Sequence, residues 1–309
     1  LEEKLEKIII EGEKIEADTV IRESREIAGT AEGVDNVEVV IDGNLAHSMK
    51  ADAADNGSWK VTLDADLIAN GSHTLTAFGT NEAGELILSR SIPFTADLAY
   101  SEAASVDDPT GDDNGPNGNY VYATDESFTN QLDIGGVTLH RAGTNLKIEV
   151  NMAGDVTTSW NPNNGFDHVA FYIYIDNPNK EGATVLPYQN ASMPDGLDWN
   201  TMVFAGGWDT AIYSAEGAGP ESYGTALSTS LGLNVNKEES TIEMTLERAA
   251  LGNPTDLSGF KVYITTWDYD GLESANRQLK EEPEAYAFGG GNYKEDPLIM
   301  DDTKVIEIP

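Results

Sequence analysis

Four aspartates fall within seven residues, at Asp107, Asp108, Asp112 and Asp113, in the stretch S-V-D-D-P-T-G-D-D-N-G-P-N-G-N-Y-V-Y (105–122). Brought together without a counter-ion, these carboxylates repel one another, and folding them into one place raises their pKa values. Glycine and proline let the loop turn tightly, so that several carboxylates and carbonyls can point at one centre. That many hard oxygen donors suits Ca2+ better than a transition metal. The loop is not an EF-hand. Its register would put Thr110, Asp112 and Asn114 before Gly115, and Val121 where a bidentate Glu is required. A solvated acidic linker has the same composition, and the spacing alone leaves both readings open.

A second kind of chemistry is suggested by tryptophan. Of five Trp, four follow the acidic loop: Trp160, Trp199, Trp208 and Trp267. Pyranose rings present apolar C–H faces that stack on flat aromatic rings, while their hydroxyls bond to planar polar side chains. Trp160 lies in S-W-N-P-N-N-G-F and Trp199 in D-G-L-D-W-N, both polar, loop-like settings suited to a partly exposed ring. Trp208 follows Gly206-Gly207 and precedes Asp209. Tyr188, Asn190 and Arg277 are candidate polar contacts at the rim of such a site. The alternative for each tryptophan is packing, and Trp267, at the end of an amphipathic strand, is expected to be packed.

Strands must position these groups. In the first hundred residues Val37, Val39 and Ile41 alternate with polar neighbours and run into Asp42-Gly43, a hairpin signal. Trp59, Val61 and Leu63 alternate after Asn56-Gly57, and Leu75, Ala77, Leu86, Leu88 and Ile92 continue the pattern. Strands about ten residues apart, with turn residues between them, predict a β-sandwich over 8–98 behind a charged lead, 1–7. Residues 96–119 are polar, have no apolar period and read as a boundary. Beyond it, 145–151, 169–176, 241–247 and 260–267 are strand-like. The 169–176 run is apolar at nearly every position, so it is expected in the centre of a sheet. The remaining segment, 99–309, is therefore expected to form a second, larger β-sandwich, with one short helix at Glu247–Leu251 ended by Gly252-Asn253-Pro254.

Composition narrows the partners. The 309 residues carry 18 Lys and Arg against 54 Asp and Glu, a net charge of −36. Residues 1–98 hold 20 acids and 8 bases and the rest 34 and 10, so the acidity covers the whole surface and is not a tail. Such a chain does not bind nucleic acid or an anionic bilayer through a general basic field. No stretch approaches the roughly 18 apolar residues of a membrane span, so membrane insertion is not expected. Cysteine is absent, which excludes disulfides, thiolate metal sites and a cysteine nucleophile. The opening L-E-E-K-L-E-K-I reads as a mature fragment and gives no cellular address.

Two resemblances follow from longer motifs. Residues 8–97 resemble a bacterial immunoglobulin-like domain through I-A-G-T-A-E-G-V-D-N-V-E-V-V-I-D-G, N-G-S-W-K-V-T-L and N-G-S-H-T-L-T-A-F-G-T-N-E-A-G. Such domains usually act as spacers or adhesion units. Residues 105–302 resemble the C-terminal binding module of glucodextranase- and amylopullulanase-type enzymes, a DOMON-like relative of the family 9 carbohydrate-binding fold. The match runs from D-P-T-G-D-D-N-G-P-N-G-N-Y-V-Y-A-T-D through V-A-F-Y-I-Y-I-D-N, L-D-W-N-T-M-V and T-W-D-Y-D-G to A-Y-A-F-G-G-G-N and D-P-L-I-M-D-D. Asn117 and Ala123 depart from the usual pattern, as an insertion and in place of a proline.

The resemblance implies an all-β chain, an immunoglobulin-like sandwich followed by a larger antiparallel sandwich of DOMON or jelly-roll type. It implies a structural Ca2+ in the acidic loop, held by Asp108, Asp112 and Asp113 with Asp107 and Asp133, and two tryptophans, Trp199 and Trp208, clamping a terminal sugar. The function it implies is noncatalytic binding of a polysaccharide, an α-glucan such as starch, pullulan or dextran. The module would serve a catalytic domain of the same parent chain, outside the cell or on a bacterial surface. A structural or attachment module without sugar binding is the alternative. An enzyme is the third reading. No G-x-S-x-G elbow, H-E-x-x-H or P-loop occurs, and the histidines at 47, 73, 140 and 168 are scattered. A glycosidase needs only two placed carboxylates, which 54 acids could supply, but acids at that frequency are mostly solvated surface.

Overall fold

Sequence alternation becomes alternating burial. In Ser58–Leu63, Trp59, Val61 and Leu63 turn inward and their neighbours outward. The computed structural model describes residues 7–11, 15–45, 48–53, 56–270 and 275–309, and the expected lead lies outside these except for Lys7. The described chain is almost entirely β, and it divides into two compact units, Leu1–Tyr100 with Ala142–Thr144, and Ser101–Arg141 with Asn145–Pro309.

The smaller unit has two sheets. One runs Lys7–Ile10, Arg25–Glu32, Ser58–Leu63, Asp52–Ala53; the other runs Thr19–Ile21, Ile92–Ala96, Gly71–Thr80, Asp35–Ile41, Met49–Lys50, with Leu86–Leu88 against Gly71–Thr80. Ile27, Val39, Trp59, Leu63, Leu75 and Phe94 fill the core between them. The Asp42-Gly43 signal is a tight turn, with both residues at positive φ (53° and 68°) and Asn44 N–H bonded back to Ile41 O at 3.1 Å. Two positive φ values are what a type I′ turn demands.

The larger unit also pairs two sheets, both antiparallel. A five-stranded sheet runs Ser101–Asp107, Ile134–Ala142, Asn145–Met152, Thr241–Leu246, Gly232–Asn236. A seven-stranded sheet runs Ser222–Ala226, Thr210–Gly219, Thr201–Ala205, Ala170–Asp176, Lys261–Trp267, Asp301–Asp302, with Ile306–Glu307 also on Lys261–Trp267. Ala170–Asp176 is buried at every position and lies centrally, flanked by Thr201–Ala205 and Lys261–Trp267, as its apolar run requires. The short helix is a 3-10 turn at Arg248–Leu251, stopped by Gly252 in the left-handed region (φ 77°).

One expectation changes. The polar segment 96–119 contains the strand Ser101–Asp107, paired with Ile134–Ala142 through a register shift between Glu102 and Ala104. An edge strand is held by main-chain bonds and shows mixed exposure, so it needs no apolar period to announce it.

Candidate metal centre and aromatic surfaces

The acidic loop is clamped to the larger unit by its backbone. Gly111 N–H donates to Asp133 Oδ2 (2.9 Å), Asp108 N–H to Gly135 O (3.2 Å) and Gly115 N–H to Met300 O (2.9 Å). Gly115 has φ 78° and its Cα lies against the Tyr120 ring, which a Cβ would meet at 2.3 Å, so no other residue fits there without a shift.

This folding brings one oxygen each of Asp108, Asp112 and Asp301 within 4.8 Å of one another. Asp301 arrives on a distant strand, where it pairs with Thr266. Its Oδ2 accepts from Ile134 N–H (2.7 Å) and its Oδ1 from Asp302 N–H (2.8 Å), which orients the carboxylate. Burial, followed by the charges of Asp108 and Asp112, pushes Asp301 up to about 8 despite those bonds. Burial, with the charges of Asp112 and Asp302, pushes Asp108 to about 6, and Lys304 offsets this only in part. Asp133 is also pushed to about 6, first by burial and then by the charges of Asp113 and Asp112. Two buried carboxylate oxygens, Asp108 Oδ2 and Asp133 Oδ1, have no hydrogen-bond partner. Unpaired, desolvated, mutually repelling oxygens are unfavourable alone and are the donor set of a hard divalent cation. The residues present therefore fit Ca2+.

Of the five aspartates expected in this centre, Asp108 and Asp112 meet, and Asp133 sits beside them through Gly111. Asp113 turns instead to Tyr122, whose hydroxyl donates to its Oδ2 while accepting from Leu132 N–H (3.0 Å). Burial is the main cause of Asp113's raised pKa. Asp107 ends the edge strand and is exposed, outside the group of three. Asp301 was not expected. Its only local signal is an acid placed directly after the apolar run L-I-M, and the strand pairing that delivers it is not local.

The tryptophans separate into two classes. Trp199 is 0% exposed, its Nε1–H donates to Val185 O (2.7 Å) and its ring packs on Tyr174 at 5.8 Å. It is core, and the expected Trp199–Trp208 clamp is not available to a sugar; Trp208 itself is half-buried. Polar neighbours suggested exposure for Trp199, but they face outward around an inward ring. Trp267 is packed as expected, against Phe288 at 5.0 Å, with its Nε1–H on Arg277 O at 3.0 Å.

Trp160 is different. It is 39% exposed and stands at 65° to the 53% exposed Tyr286, centroids 5.9 Å apart, so the two rings form an open corner. Its backbone N–H is fixed by Asp167 Oδ2 (2.7 Å), and Tyr286 donates its hydroxyl to Asp125 Oδ2 (3.1 Å). Behind the corner lie Phe128 and His168, the latter 4.9 Å from Trp160 and at φ 62°. Arg277 is not a rim contact. It is 3% exposed, donates from Nε to Asp268 and from Nη1 to Tyr286 O (3.0 Å), and covers the Phe128 ring at 4.9 Å. Its role is to brace the corner from within. Tyr188 and Asn190 are exposed, and both line a different groove.

A sequence model of the family described as the C-terminal binding module, SLH-like, of glucodextranase matches residues 103–305. No curated protein matches the chain. Among solved structures, the endo-β-1,4-mannanase from Thermotoga petrophila is 14% identical over 32% of this chain and 21% of its own, with a TM-score of 0.26. The fibronectin(III)-like modules of Clostridium thermocellum CbhA are 16% identical over 31% of this chain and 99% of theirs, with a TM-score of 0.23. A tetra-tandem repeat from the extending region of a large adhesion protein is 14% identical over 85% of this chain and 46% of its own, with a TM-score of 0.26. The chain spans about a fifth of the mannanase's length.

Proposed function

The chain belongs to the family of C-terminal binding modules of glucodextranase, and from that premise we propose that it is a noncatalytic carbohydrate-binding region of a secreted or cell-surface enzyme that degrades α-glucan. The catalytic domain would lie elsewhere in the same parent chain. The larger unit is read as a DOMON-like sandwich that holds polysaccharide such as starch, pullulan or dextran, and the smaller as an immunoglobulin-like spacer. Binding would raise the local concentration of polymer at the catalytic domain. No described helix is long and apolar enough to cross a membrane.

The observation that carries this reading is the Trp160–Tyr286 corner. Two exposed rings, fixed by buried groups and edged by a carboxylate, offer stacking faces with little ordering cost when a pyranose arrives. Asp108, Asp112 and Asp301 would hold a Ca2+ with Asp133 beside them, the ion neutralising a repelling loop and tying it to the strand end at Asp301. An ion that binds only the folded state stabilises by about 2.7 kcal/mol at one hundred times its Kd.

Affinity electrophoresis of the full chain through starch, pullulan and dextran tests the sugar reading. Retardation on at least one polymer, weakened by Trp160→Ala, is the expected result; free migration through all three refutes it. Trp199→Ala is the wrong probe, because emptying a core site costs about 3–5 kcal/mol and any lost binding would report unfolding. The SLH-like description of the family favours a second reading, attachment to a cell surface. Retention on purified cell-wall polymer with no retardation on α-glucan would select it.

A further inference from the structure

On the far side of the segment that braces the Trp160 corner lies a groove of about 650 Å³, lined by Tyr188, Tyr223, Tyr269, Tyr293, Asn276 and Lys294 among others. Asn276 and Arg277 are consecutive. Arg277 reaches the corner rings, whereas the Asn276 side chain faces the groove, accepting the Tyr172 hydroxyl and donating to Tyr188 O at 2.9 Å. We propose, resting on the reading of the larger unit as a glycan-binding module, that this groove is a second, independent subsite that takes a stretch of neutral glucan chain.

Its size, its rings, their anchoring, its rim and its charge carry it. The volume lies within the roughly 300–1,000 Å³ of ligand sites, room for more than one sugar ring. Its rings are held in place before any ligand arrives: Tyr223 packs on Tyr188 at 4.6 Å and on Tyr213 at 5.1 Å, and Tyr269 on Phe204 at 5.1 Å. Tyrosine supplies an apolar face and a hydroxyl on a stiff side chain, which is the combination a pyranose needs. The segment that carries Tyr188 and Asn190 is anchored in the core between them, where buried Gln189 joins the Tyr174 hydroxyl (2.7 Å), the Thr265 hydroxyl (3.1 Å) and Leu298 O (2.9 Å), the last a lining residue of the groove.

The rim is strained. Tyr188 and Asn190 both sit at positive φ (58° and 51°), and for a residue as bulky as tyrosine that is a genuine outlier. The strain is held by Tyr188 N–H on Pro220 O (2.8 Å), the Tyr188 hydroxyl on Glu221 O, and Asn190 Nδ2–H on Tyr293 O (2.8 Å) and Asp296 O (2.9 Å). These bonds fix the Tyr188 ring over the groove. Charge selects the ligand. Lys294 and Glu221 balance each other at the rim, while the chain as a whole carries −36, which disfavours an anionic polymer.

The test titrates maltoheptaose and isomaltoheptaose into the full chain by calorimetry. Tyr188→Asn removes the ring and keeps a residue that tolerates positive φ; Lys294→Ala is a second, exposed change that leaves the packed rings alone. For whichever sugar binds, Trp160→Ala is expected to leave binding at the groove, which Tyr188→Asn weakens roughly tenfold or more at an unchanged melting midpoint and Lys294→Ala by a smaller factor. Wild-type affinity in both groove variants, with Trp160→Ala alone abolishing all binding, overturns the groove and leaves the module's function standing. If the wild-type chain binds neither oligosaccharide and none of the three polymers, the carbohydrate reading falls, and the groove falls with it.

Discussion

Asp42 in the smaller unit and Asp301 in the larger are both carboxylates that accept bonds from backbone N–H groups, yet their pKa values move in opposite directions. Partial burial pushes Asp42 up, but the bond from His73 Nδ1 (2.8 Å), the Thr74 N–H (2.8 Å) and the His73 charge outweigh it, and the carboxyl ends below its usual value. Asp301 has N–H donors of similar length, but its charged neighbours are Asp108 and Asp112, and it is pushed up to about 8. Hydrogen bonds alone do not decide the state of a carboxylate; desolvation and the sign of the nearest charge do. The smaller unit supplies its carboxylate with donors from within the fold, His73 Nδ1 and Thr74 N–H. The larger unit assembles the negative half of an ion site and leaves two buried oxygens unpaired, which is the physical ground for proposing a bound cation there and none at Asp42.

The largest expected effect separates the two regions directly. Saturating Ca2+ should raise the melting midpoint of the larger unit over an EDTA-treated sample by about 5–10 °C, taking about 2.7 kcal/mol of linkage and about 2–4 °C per kcal/mol for a unit of this size. Asp301→Ala should erase most of that difference. Calorimetric scans of the full chain measure both, and midpoints that coincide with and without EDTA would remove the ion from the account.

Acidity sharpens the contrast next. A raised folded pKa gives stability that is complete below the unfolded carboxylate value near 4 and is lost as pH rises through the folded value. With Asp108 and Asp133 near 6 and Asp301 near 8, the EDTA-treated larger unit should lose stability from pH 4 to 8. Bound Ca2+ should cancel that loss, so the gap between the two midpoints widens with pH. Asp42 has the opposite sign: its contribution holds above the usual Asp range and disappears as pH falls below it. Parallel midpoint curves for the two treatments across pH 4, 6 and 8 would break the comparison.

How much of this was legible before folding depends on distance along the chain. The strands Ser58–Leu63 and Thr241–Leu246 carry their burial in a period of two, and Ala170–Asp176 announces its central place by being apolar throughout. Asp108 and Asp112 were visible because one loop holds both. Asp301 was not, because it meets them only through a strand pairing that no local pattern encodes. Trp199 misled for a related reason: polar neighbours report where a segment lies and not which way its ring turns. Tyr286 carries no local signal, since its partner Trp160 is 126 residues away and only the fold makes them a corner.

A smaller effect is expected at the self-sufficient site. Asp42→Ala strips His73 Nδ1 and Thr74 N–H of their acceptor. The Asp42 side chain is nearly half exposed, so water replaces part of what is lost, but alanine is strained at the positive φ of this turn, and the total cost should be about 2 kcal/mol, read as a lower midpoint for the smaller unit alone. The Ca2+-dependent gap of the larger unit should be unaffected, and a change in it would mean that the two acids are not the independent cases argued above.

The smallest effect is the most discriminating for the loop. Asp107 is adjacent in sequence to Asp108, and composition alone gives the two equal standing. Asp107 is exposed at the end of Ser101–Asp107, whereas Asp108 is buried with an unpaired oxygen. If the ion is held by placed oxygens, Asp107→Ala should change stability by less than about 0.5 kcal/mol and leave the EDTA response intact, while Asp108→Ala removes that response. If the loop gathers cations only through its summed negative charge, the two variants should behave alike, and both should depend steeply on ionic strength.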